Sequence, residues 1–151
     1  MASLLVGTRK GLFVIDNQQI KSHHFQGEPV SQVLVDRRTG HWLVALNLGH
    51  FGVKLHTSVD QGKTWTALAA PAFPTKPVAS DANFADFKDD PTPWNVELIW
   101  SLSAGGADEP DTLWAGCIPA GLFKSTDGGQ SWALNMPLWR DPRRQKWFGG
   151  G

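Results

Sequence analysis

The residues whose order most suggests chemistry are Gly62-Lys63-Thr64, inside the stretch SVDQGKTW at 58–65. A glycine, a lysine and a hydroxyl residue in that order end a phosphate-binding loop, where backbone N–H groups curl around the anion and the lysine reaches its oxygens. That loop needs another glycine five residues before Gly62, and Thr57 stands there. It also needs a helix immediately behind it to aim an N-terminus at the phosphate, but the following segment soon meets Pro71 and Pro74. Both requirements fail, so Lys63 reads as a solvated turn residue and no nucleotide or other cofactor is expected.

The stretch is better explained by comparing the chain with itself. Residues 125–132 read STDGGQSW, and the two segments share Ser-x-Asp-x-Gly-x-(Ser/Thr)-Trp. Ser58, Asp60, Gly62 and Trp65 match Ser125, Asp127, Gly129 and Trp132. The similarity continues upstream: WLVALNLGHFGVKLHTSVD (42–60) and TLWAGCIPAGLFKSTD (112–127) each read as strand, Gly-containing loop, strand, as does LLVGTRKGLFVID (4–16). A repeat of this kind governs every later assignment.

Short apolar or alternating runs bounded by Gly, Asp, Asn and Pro predict strands, and no segment carries a helical apolar period of useful length. The expected strands are 4–7, 11–16 and 19–25, then 30–36, 42–46, 53–58 and 64–68, then 97–103, 112–116, 121–125 and 131–134. Three strands followed by two sets of four, with a spacing near the ~40–45 residues of a propeller blade, predict an all-β, β-propeller-like array of four-stranded antiparallel blades. The array is incomplete, with two full blades and one partial. The corresponding boundaries are a partial blade at 1–28, a blade at 29–68, an insertion at 69–96, a blade at 97–136 and a loop-like tail at 137–151. In each full blade the repeated motif joins the third strand to the fourth. Its chemistry suits a hairpin: Asp accepts N–H bonds across the turn, Gly takes positive φ and Trp packs back between sheets.

The paired motifs resemble Asp boxes, also called bacterial neuraminidase repeats, which occur in sialidases and in many β-propellers without sialidase activity. The longer run AGCIPAGLFKSTDGGQSW, with DEPDTL before it and MPLWRDPRRQKWFGGG after it, resembles bacterial proteins called sialidase-like or glycosyl hydrolase. Members of that group continue with further boxes. The resemblance therefore implies a truncated or fragmentary propeller, or an open array whose exposed sheet edges favour self-association. In sialidases an arginine cluster, a tyrosine nucleophile paired with a glutamate, and an acidic acid/base do the chemistry. This chain has no tyrosine and lacks the Arg-Ile-Pro motif, so a complete site of that type is absent.

Successive turns of an up-and-down blade alternate ends, which puts the Ser-x-Asp turns on one face and a ligand mouth on the other. Arg9, Lys10, Asn47, His50, Ile118 to Ala120 and the 69–96 insertion fall at the mouth, and Trp94 within the insertion is the expected exposed contact, with Trp139 and Trp147 of the tail. Trp42, Trp100 and Trp114 lie on strands and are expected in the core. The acids Asp81, Asp86, Asp89, Asp90 and Glu97 are available for a two-carboxylate glycosidase, although the first four sit in a Pro-containing loop that suits solvated acids. His23 and His24 are adjacent in a strand and point to opposite faces, and neither they nor His50 and His56 have metal-ligand spacing, so no metal is expected.

Fourteen basic and fourteen acidic residues cancel, which argues against a nucleic-acid surface; Arg140, Arg143, Arg144 and Lys146 read as a solvated loop. No apolar run reaches the length of a signal peptide or a membrane span, and the lone Cys117 suits a reducing compartment and a small buried role, so a cytoplasmic location is expected. These features favour a non-catalytic Asp-box module that presents loops to a protein or carbohydrate-like ligand. The alternative is a sialidase-like glycoside hydrolase whose catalytic residues lie largely outside these residues.

Overall fold

The computed structural model describes residues 3–76 and 93–147. Its strands form three antiparallel sheets. The first contains β1 (Leu4–Thr8), β2 (Gly11–Asp16) and β3 (Gln19–His24), in that order. The second contains β4 (Val30–Val35), β5 (Trp42–Asn47), β6 (Val53–Ser58) and β7 (Thr66–Leu68), and the third β8 (Leu98–Ala104), β9 (Leu113–Ile118), β10 (Gly121–Ser125) and β11 (Ala133–Leu134). This is the incomplete propeller array expected from the repeat. β7 and β11 start later than the apolar pattern suggests, because Thr64 and Ser131 are bound into the preceding turns.

Strand periodicity explains the core. In β5 the alternate residues Val44 and Leu46 face the first sheet and pack with its Leu12 and with Phe25 just after β3, together with Val33 of their own sheet and Trp65 just before β7. Ala45 faces the third sheet and packs with Leu55, Ile99, Ala115, Cys117 and Phe123. Both faces of the middle sheet are thereby covered, which is why Trp42 through Leu46 read as one uninterrupted apolar run rather than an alternation.

A polar clamp ties the second sheet to the third. Asp36, just after β4 and only 3% exposed, accepts from the backbone N–H of Arg38 at 2.9 Å and from its Nε at 2.9 Å and Nη2 at 2.7 Å. The remaining guanidinium hydrogens reach the β8–β9 loop: Nη1 donates to the carbonyls of Gly106 and Glu109 at 3.1 and 2.6 Å, and Nη2 to that of Thr112 at 2.9 Å. All five N–H groups of the guanidinium are used.

The segment after β11 differs from the loop and solvated basic cluster expected there. Asn135 caps a one-turn helix α1 (Met136–Trp139), accepting from Leu138 N at 3.1 Å, and Asp141 caps a 3-10 turn over Pro142–Lys146. One turn is too short to show an apolar period. Trp139 is 1% exposed instead of a surface contact: its ring meets Phe73 at 4.7 Å and Trp94 at 5.6 Å, and Phe73 meets Phe123 at 5.2 Å. Arg144 is buried as well, its guanidinium 3.8 Å from the Trp139 ring centre and its Nε donating to the Trp139 carbonyl at 2.9 Å. An arginine on an indole closes the end of the aromatic cluster, so this basic residue packs rather than solvates. Trp147 is exposed, as expected.

Phe123 joins the inter-sheet core to this aromatic cluster. Phe123→Ala is expected to lower unfolding free energy by about 3–5 kcal/mol, measured as a fall in the urea midpoint with unchanged m-value.

Candidate functional site

The two Ser-x-Asp turns are built identically. Ser58 Oγ donates to Asp60 Oδ1 at 2.8 Å and accepts from Gly62 N at 2.7 Å; Asp60 then accepts from Thr64 N at 2.9 Å and Thr64 Oγ1 at 2.7 Å. In the second copy Ser125, Asp127, Gly129 and Ser131 make the same four bonds. Each carboxylate is held down to about 2, Asp60 chiefly by the Thr64 backbone N–H and then its hydroxyl, Asp127 chiefly by the Ser131 hydroxyl and then its backbone N–H. Gly62 and Gly129 take φ of +85° and +91°. Their missing Cβ atoms also make room, since one at Gly62 would come within 2.8 Å of the Trp42 ring. These carboxylates are occupied by their own turns, which leaves them structural.

The other end of the sheets is concave. Three adjoining concavities of about 620, 550 and 560 Å³ share Asn47. The largest is lined by His50, Phe51, Glu97 and Ile118, the second by Arg9, Glu28 and Phe51, and the third by Arg9, Gln32, Leu98 and Trp100. Local turns set these residues in place. Thr8 Oγ1 accepts from Lys10 N and donates to the Gly11 carbonyl, shaping the β1–β2 turn that carries Arg9. Asn47 Oδ1 accepts from Gly49 N at 3.2 Å, shaping the 3-10 turn Gly49–Phe51. A fourth concavity of about 450 Å³ lies at the other end, lined by His41, Asp111, Asp127 and Gln130 among others.

The structure therefore brings Arg9, Asn47, His50 and Ile118 to one mouth and does not bring Trp94 or Lys10 into its lining. Trp94 was expected to be an exposed contact; it is half-buried, with its ring against Phe73 and Trp139. Trp100 reverses in the opposite sense. Expected in the core, it stands 65% exposed in a concavity of the mouth, and Phe51 is exposed in the two adjoining ones. Trp42 is buried as expected, whereas Trp114 is half-buried with the Lys124 ammonium 5.2 Å from its ring centre. Asp81, Asp86, Asp89 and Asp90 lie outside the described residues. Glu97 and Glu28 line different concavities of the mouth.

His23 stacks on Phe13 at 4.0 Å and its Nε2 lies 2.8 Å from the Lys10 carbonyl, while His24 meets the Trp65 edge and Ser22 Oγ. No group of three or more His, Cys, Asp or Glu among the described residues is arranged to hold a metal. Burial pushes the Cys117 thiol up to about 12, so it stays protonated and unreactive. No described helix is long and apolar enough to cross a membrane.

Comparison with protein-family models and with curated proteins gives no match. Among solved structures the chain is similar to "YCF48 bound to D1 peptide", with a TM-score of 0.51 at 12% identity, covering 85% of this chain and 34% of that one. The likeness is one of fold: both are β-propeller arrangements, and this chain spans about a third of its neighbour's length.

The depressed carboxylates make stability depend on acid. Asp60 and Asp127 bind a proton less readily when folded than at the ordinary 3.8, so their contribution is complete above that value and lost as pH falls through it toward about 2. Asp141, held to about 2 by Arg143, adds to the same window. Urea midpoints should fall as pH drops from about 5 to about 2, and the Asp60→Asn, Asp127→Asn double variant should show a shallower fall. Gln61 carries φ of +59° where the second turn has Gly128. Gln61→Gly is expected to stabilise by about 0.5–1 kcal/mol by removing the left-handed strain, read by thermal or urea denaturation.

Proposed function

We propose that the chain is an Asp-box β-propeller module, or a part of one, that binds a partner at the mouth opposite its Ser-x-Asp turns and performs no catalysis. One observation carries this reading. Arg9, Gln32, Asn47, His50 and Glu97, drawn from all three sheets and their links, line adjoining concavities among the exposed apolar side chains of Phe51, Trp100 and Ile118. Apolar surface interrupted by a few convergent polar groups is the usual composition of a binding site. The two turn carboxylates, by contrast, have their oxygens committed to the fold. The Ser-x-Asp-x-Gly-x-(Ser/Thr)-Trp repeat supports the Asp-box assignment. A neighbour of the same fold solved with a peptide bound supports a polypeptide partner over a sugar.

The test is amide chemical-shift mapping of the isotope-labelled chain, titrated with pooled short peptides and, separately, with pooled oligosaccharides. Shifts clustered on residues 9, 27–32, 47–52, 95–100 and 118 are expected. Shifts confined to the turns at 58–65 and 125–132, or hydrolysis of aryl glycosides by the chain, would overturn the proposal.

A further inference from the structure

A β-bulge recurs at one place in the second and third sheets. In β4 the pairing steps from Val30 opposite Leu46 to Gln32 opposite Ala45, passing over Ser31; in β8 it steps from Ile99 opposite Cys117 to Ser101 opposite Gly116, passing over Trp100. The partner positions correspond, because β5 and β9 align with Ala45 on Gly116 and Leu46 on Cys117. A bulge leaves one residue unpaired and re-aims its side chain. In β8 the slip is visible as two successive exposed residues, Trp100 and Ser101, after the fully buried Ile99.

The repeat uses this device differently in its two copies. In β4 the bulged residue is a serine whose Oγ donates to the Ala45 carbonyl at 3.3 Å, so its hydroxyl serves the sheet. In β8 the same position holds an indole that has left the core. The Trp100 backbone is anchored from the neighbouring sheet, Gln32 Nε2 donating to its carbonyl at 2.6 Å. The indole shares its concavity with Arg9 of the first sheet and with Gln32 and Asn47 of the second. Arg9 forms no salt bridge among the described residues.

We infer that Trp100 and Arg9 are a two-point anchor for an extended peptide carrying a carboxylate and an aromatic or proline side chain; the inference rests on the mouth being a binding site. The indole face takes a flat ring. The guanidinium fork takes a carboxylate in two parallel hydrogen bonds. Gln32 and Asn47 line the same concavity, and the amide atoms that their bonds to the Trp100 carbonyl and from Gly49 N leave over, Gln32 Oε1 and Asn47 Nδ2, can serve peptide groups. Adjoining concavities that share Asn47 carry the surface on to the exposed Phe51 and Ile118, apolar side chains that the residues of a peptide would cover.

The experiment displays random hexapeptides, each with a free and with an amidated C-terminus, beside an array of neutral and acidic oligosaccharides. Both are probed with the chain and with Trp100→Ala, Trp100→Phe and Arg9→Gln, all checked for unchanged melting. The wild type is expected to retain peptides that pair a carboxylate with an aromatic residue or proline. Trp100→Ala should weaken retention roughly tenfold or more, the scale of an interface anchor, and Trp100→Phe should keep most of it. Arg9→Gln should lose the preference for a carboxylate while keeping the preference for a ring. Loss on amidation assigns the carboxylate to a chain terminus, and indifference to amidation assigns it to Asp or Glu; either supports the anchor. Peptides retained equally by wild type, Trp100→Ala and Arg9→Gln would overturn the inference and leave the mouth as a site. Retention of oligosaccharides in place of peptides overturns it too, and retention of neither removes the site along with it.

Discussion

A sheet of three or four short strands has two apolar faces and no stable existence until both are covered. In this chain the middle sheet meets that requirement from both sides: Val44 and Leu46 lie against the first sheet and Ala45 against the third. The stacking that covers β5 also sets the sheets side by side, so that the links and second turns converge at one end. The concave mouth follows from this burial, with no side chain having to build it alone.

The Ser-x-Asp turns serve the same requirement from the other end. One serine hydroxyl donates to a carboxylate and accepts from a glycine N–H, and that carboxylate accepts from a residue four positions on. The chain thus reverses with its buried polar groups bonded. The tryptophan that follows then reaches into the preceding sheet. Trp65 meets Phe25 at 5.1 Å and His24 at 5.7 Å, beside β3, and Trp132 Nε1 donates to the Ala69 carbonyl at 2.9 Å, just after β7. Turn and inter-sheet wedge form one unit, which is why Ser, Asp, Gly and Trp recur at fixed spacing.

Those parts of the fold were readable in sequence because they are local. Alternation, turn residues and the repeated octet placed the strands and the end of the molecule where Arg9, Asn47 and His50 meet. Trp100 was misread for a definite reason. A period-two pattern assumes unbroken pairing, and the bulge that passes over this residue inverts its direction without changing its neighbours in the chain. A signal existed in the repeat itself, since Trp100 aligns with the polar Ser31 once the two sheets are registered. Trp94, Trp139 and Arg144 were misassigned because their cover comes from Phe73 and from one another, across segments that no periodicity links. The Asp36–Arg38 pair left only a short polar stretch in a turn, and its carbonyl partners lie some seventy positions away.

That clamp bears on how the mouth can work. An arginine with every N–H engaged, bridging a buried carboxylate and three carbonyls of the next sheet, resists both hinge and shear between the two sheets it joins. The walls that carry Gln32 and Trp100 are therefore held at a set separation before anything enters. For the partner binding proposed at the mouth, much of the ordering entropy that a loop-built site spends on association would already be met during folding, and selectivity would come from fit rather than closure.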